Sequence, residues 1–155
     1  MNNKKLLGGG AFIAVLLFFL LIKLPVIAFE TDGERFYLKE EAFELSWVHS
    51  VEKEEWREYY ERDGQTLLLT ETHFKTFGAG VPSDGTVLPS DDGFVHMKIG
   101  REFEELNLTV SENAQTLIRA DGREISLHAL ADDYETFRIS VEYVHLWNYV
   151  GGKTL

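Results

Sequence analysis

The chain has 155 residues, room for one membrane segment and one domain. Cysteine is absent, which excludes a disulfide framework, lipid attachment at a lipobox and thiolate metal sites. Three of the 15 bases and none of the 26 acids lie in residues 1–29, so the remainder carries 12 against 26, a net of −14 that repels nucleic acid and anionic headgroups.

Lys4 and Lys5 precede an apolar run from Leu6 to Ile22, and after Lys23 the apolar character resumes as "LPVIAF". Leu6 to Phe29 is thus 24 residues with one charge. A helix needs about 20 residues to cross a bilayer, so the run predicts a transmembrane helix closed near Pro25, with residues 1–29 as anchor. Val26 and Ala28 also satisfy the spacing for signal-peptide cleavage after Ala28. The 17-residue apolar core exceeds an h-region of roughly 7–15 residues and favours retention. The two lysines hold the N-terminus in the cytoplasm, so residues 30–155 are expected as an exported domain on a single-pass protein of the cell membrane.

Residues 30–35 read as a polar link. Beyond them the prevailing signal is period-two alternation. "FELSWVHSV" sets Phe43, Leu45, Trp47, His49 and Val51 on one strand face. The next stretch, through Tyr60, has two readings. As a helix its stripe is spoiled by Glu54, Glu55 and Glu58, with the like charges Glu54 and Glu58 four residues apart. As a hairpin, a tight acidic connection near residues 53–55 leads into a strand with Trp56, Glu58 and Tyr60 on one face. Continuity with the flanking alternation favours the hairpin. Asp63-Gly64 and Asp121-Gly122 are two-residue turn signals, flanked by strands at 66–74 and on both sides of 121–122. Residues 106–111 and 136–144 also alternate. Glycine loops are expected at 77–85 and 89–94 with a turn at Gly100, and a short helix at 111–116 or 128–134. The last residues, from His145, read as a final strand or a packed tail. The fold class is mainly β: an antiparallel β-sandwich or partly open barrel after one N-terminal helix.

Chemistry concentrates in the hairpin, where His49, Ser50, Glu52, Lys53, Trp56, Glu58 and Tyr60 crowd together. Nucleophilic catalysis by Ser50 is disfavoured, because neighbouring His49 points to the opposite strand face. The five histidines (49, 73, 96, 128 and 145) lack ligand spacing, although His49 and His73 could meet across strands. Asp84, Asp91 and Asp92 match no calcium loop. "GAG" at 78–80 lacks the lysine and helix of a P-loop, and Pro82 stiffens its exit. No catalytic residue, metal or cofactor is therefore expected.

His49-Ser50-Val51-Glu52-Lys53, then Trp56 and Glu58, then Gly78-Ala79-Gly80 and Pro82 form an ordered pattern across residues 43–130. It resembles the bacterial domain-of-unknown-function family 1850. That resemblance implies a small membrane-anchored protein associated with tripartite ATP-independent periplasmic (TRAP) transporters of the TAXI type, and supplies no mechanism. The expected role is a non-catalytic accessory or binding module whose hairpin and Gly78–Gly80–Pro82 loop meet the TRAP permease, its solute-binding protein or a small solute. The competing expectations are a small hydrolase using His49 with Glu52 or Glu58, and a structural tethered domain without ligand.

Overall fold

In the computed structural model, which describes residues 18–155, the alternating segments pair into two antiparallel sheets. The first contains β1 (Lys23–Thr31), β2 (Glu34–Leu38), β8 (Glu105–Thr109) and β11 (Thr136–His145), in the order β2-β1-β11-β8. The second contains β3 (Ala42–Val48), β4 (Glu55–Asp63), β5 (Thr66–Phe74), β6 (Thr86–Leu88), β7 (Val95–Phe103), β9 (Leu117–Ala120) and β10 (Arg123–Ser126). Its order is β10-β9-β3-β4-β5-β7-β6.

The inner faces meet in one core. Ile27, Phe29, Leu38, Phe137 and Ile139 from the first sheet pack on Phe43, Leu45, Tyr60, Leu67, Leu69 and Ile118 from the second. Phe29 and Phe43 meet edge to face across the layers, centroids 5.7 Å apart. The architecture is a β-sandwich, the first of the two expected forms.

The N-terminal boundary is corrected. Residues 23–29 do not belong to a helix; they are strand β1, hydrogen-bonded to β11 from Lys23↔His145 and to β2 from Ile27↔Leu38. Val26, Ile27, Ala28 and Phe29 are all buried. Ile27 and Phe29 face the main core, while Val26 and Ala28 face a second cluster with Tyr37, Val144 and the half-buried Tyr149. Tyr149 belongs to the helix α1 (Leu146–Gly151), which covers that outer face. A strand covered on both faces carries a continuous apolar run, the same signal as a membrane span. Cleavage after Ala28 would cut β1 in two. The polar link is the β1–β2 turn, with Thr31 opposite Glu34. Residues 18–21 are helical and exposed, and no described helix is long and apolar enough to cross a membrane. Residues 6–17 of the expected span lie outside the described residues.

Other local differences have plain causes. The chain passes through Gly100 within β7, at a bulge where Leu69 pairs with Arg101 and Glu71 with Lys98. Residues 112–115 are a turn, and residues 127–129 form one 3-10 turn. The helix instead follows β11, and the tail beyond it returns to the sheet, where Thr154 bridges to Tyr37 and Leu155 is buried. At the expected Asp121-Gly122 turn both residues have positive φ, +47° and +71°, as the twist-matched two-residue hairpin requires.

Candidate functional site

The Trp47–Tyr60 stretch is a hairpin. β3 and β4 pair Trp47 with Trp56 and Phe43 with Tyr60. The strand ends at Val48, so His49 and Val51 leave the expected face: His49 opens the loop and Val51 is 69 % exposed. Two backbone bonds shape that loop, His49 N to Glu54 O (2.8 Å) and Lys53 N to His49 O (3.0 Å), with Lys53 in the left-handed region at φ +58°.

The two acids of the loop hold the glycine segment against the hairpin. Glu52 Oε1 accepts from the Ala79 amide at 3.1 Å, and Glu54 Oε2 accepts from the Thr76 hydroxyl at 2.7 Å. A β-carbon at Gly78 would lie 2.2 Å from Glu52 Oε1, so the absent side chain is what admits the carboxylate. The other Glu52 oxygen, Oε2, faces His49 Nδ1. Burial pulls the Glu52 acid upward, but the Ala79 N–H, its own amide and His49 outweigh it and hold the carboxyl below its usual range. Val81 packs with Trp56, Phe74 and Met97 and fastens the far side of the loop.

Between the hairpin and this loop lies an open cleft of about 340 Å³, lined by Trp47, His49, Ser50, Trp56, Glu58 and Gly80 among others. Trp47 and Trp56 stack at 5.9 Å with 18° between planes, and His49 tilts over Trp56 at 5.4 Å. Trp56 is fixed from behind, donating from Nε1 to Thr72 Oγ1 at 2.6 Å and packing on Phe74. Glu58 accepts from the Tyr60 hydroxyl at 2.6 Å. Burial pushes the Glu58 carboxyl above its usual range, against the opposing effects of that bond and of Arg101. Burial likewise raises the Tyr60 phenol, with the Glu58 charge adding to it.

Of the residues singled out in the sequence, five line the cleft: His49, Ser50, Trp56, Glu58 and Gly80. Glu52 and Gly78 are the joint behind it. Three stand apart. Lys53 is exposed and shapes the backbone, Tyr60 is core, stacked on Phe43 at 5.2 Å, and Pro82 follows Val81 outside the lining. Trp47, a further member of the aromatic hairpin, also lines the cleft, and the lining residues the sequence did not point to are Val48, at the end of β3, and Ala114, from the turn before β9.

The histidines converge differently from the sequence reading. His49 lies on Trp56, while His73 meets His96 across β5 and β7, rings stacked at 3.6 Å. Glu71, His73 and His96 bring donor atoms within 4.8 Å of one another. Two of the three loop aspartates are already engaged, Asp84 by Arg101 and Asp92 by His96 and the Phe94 amide.

A family model described as "Domain of unknown function (DUF1850)" matches residues 43–127. The chain belongs to this family. The matched segment runs from β3 through β10 and contains the hairpin, the Gly78 loop and the cleft between them. β1, β2, β11 and α1 lie outside it. No curated protein and no solved structure matches the chain.

Proposed function

We propose that this protein is a non-catalytic, extracytoplasmic accessory of a TAXI-type TRAP uptake system, docking through the cleft between the β3–β4 loop and the Gly78 loop. The partner is the permease or its solute-binding protein, or the cleft takes a small solute for them. The observation that carries this reading is the stapled pair of loops around two stacked tryptophans, one of them, Trp47, only half-buried. Rigid aromatic surface beside hydrogen-bonding groups is the usual composition of a binding hot spot. The membrane tether of this reading is confined to residues 6–22, because Lys23 already begins β1. Seventeen residues is at the short end of what spans a bilayer, roughly 17–25.

Crosslinking in native membranes followed by pull-down tests it. The full chain is expected to recover a TRAP component, and Trp47→Ala to lose that component while folding normally. Recovery of no transporter component by the full chain would overturn the proposal.

The contact between His49 and Glu52 beside Ser50 favours one alternative, a small hydrolase. A bell-shaped pH–rate profile abolished by His49→Ala, with the fold intact, would establish it instead.

A further inference from the structure

The outer face of the seven-stranded sheet holds a second cluster, made by a bulge. Along β5, Leu67 and Leu69 face the core, and strict alternation would send Glu71 and His73 there too. The irregularity between Leu69 and Glu71 leaves Thr70 as an extra residue and reverses the faces, so that Thr72 and Phe74 are buried instead. Glu71 and His73 are thereby turned outward, against His96 on β7, the direct cross-strand partner of His73.

We propose that Glu71, His73 and His96, supported by Asp92, form a binding site for one divalent transition-metal ion. His73 and His96 stack nearly parallel, 7° between planes, and each brings a donor atom within 4.8 Å of the other's and of a Glu71 oxygen. His73 Nε2 lies 2.9 Å from Glu71 Oε2, and His96 Nε2 lies 3.0 Å from both Asp92 oxygens. Two nitrogens on one tetrahedral zinc are separated by about 3.3 Å, which follows from Zn–N bonds of about 2.0–2.1 Å, and both lone pairs must aim at the ion, so the His96 ring has to tilt out of the parallel stack on binding. Two imidazoles with a carboxylate suit the borderline ions, and zinc is the natural probe.

The surroundings favour a fixed site. His73 is buried to 7 % exposure with the Tyr59 ring against it at 4.5 Å, so its rotamer is held. Asp92, oriented by the Phe94 amide at 3.1 Å, holds His96 Nε2, so that ring's metal donor is Nδ1 and Asp92 is the outer carboxylate that steers it. Two cations face the cluster in the ladder: Arg57, opposite His73, is paired bidentately with Glu55 at 2.9 Å and lies over the Phe94 ring, and Lys98, opposite Glu71, is exposed.

Zinc titration of the chelator-treated full chain, read by calorimetry and by melting temperature, tests the site. One Zn²⁺ per chain is expected, with a melting temperature that climbs with zinc concentration. His96→Gln, half-exposed and harmless to the core, should abolish that binding, and Glu71→Gln should weaken it. Asp92→Asn should weaken it by about 10- to 100-fold, the usual effect of losing an outer-shell partner. His128→Gln should change nothing. Absence of saturable binding by the full chain, or zinc binding by His96→Gln equal to that of the parent, would overturn the proposal.

Discussion

β1 and β5 are both nine-residue strands with neighbours on either side, yet they do opposite work. β1 is covered twice, by the main core under Ile27 and Phe29 and by the α1 cluster over Val26 and Ala28. It carries no charged side chain between Lys23 and Glu30 and has no face left for a ligand. β5 is covered once. Its inner face anchors the cleft through Thr72 and Phe74, and its outer face presents Glu71 and His73. Stability is concentrated where both faces are sealed, and chemistry where one face is open.

The largest effect should come from removing β1. A chain lacking residues 1–28 keeps only Phe29–Thr31 of that strand and should show no cooperative thermal transition by circular dichroism. A chain lacking residues 1–20 should retain the transition. Next, Phe29→Ala should cost about 3–5 kcal/mol in denaturant unfolding, the range for a large buried aromatic.

Changes around the cleft should be gentler, and one should stabilise. Burial raises the Glu58 acid, so the ionised form opposes folding; stability from this group is full below the unfolded value near 4.5 and is lost as pH rises through the higher folded value. Glu58→Gln keeps an acceptor for Tyr60 and should melt above the parent at pH 7, with the gap closing by pH 4. The smallest global change belongs to Gly78→Ala. Its added carbon meets only the movable end of Glu52, so the melting temperature should scarcely shift while exchange of the Ala79 amide accelerates. If that exchange rate is unchanged, the two loops are not joined through Glu52.

What was legible in the sequence follows the same division. The β3–β4 hairpin was readable because each strand has one open face, so polar and apolar residues alternate, and the β4–β5 and β9–β10 turns because Asp-Gly marks the reversal. β1 was not, because a strand sealed on both faces loses its alternation and merges with the apolar run before it. β7 was broken at Gly100, where the glycine serves a bulge within a continuous strand. Four of the five cleft-lining candidates follow from local pattern, whereas Gly80 is carried in by its neighbour Ala79, whose amide is held by Glu52, 27 residues back in the chain. The meeting of His73 with His96 was invisible for a different reason: a single extra residue, Thr70, reverses the faces that alternation assigns.

The most direct measurement of the docking surface is site-specific photocrosslinking in native membranes, with a benzophenone residue at Ser50 in the cleft loop or at the exposed Glu104 outside it. Crosslinks from position 50 to a transporter component, absent from position 104, are the expected result. Equal labelling from both positions, or none from position 50, would contradict the assignment of the cleft as the docking face.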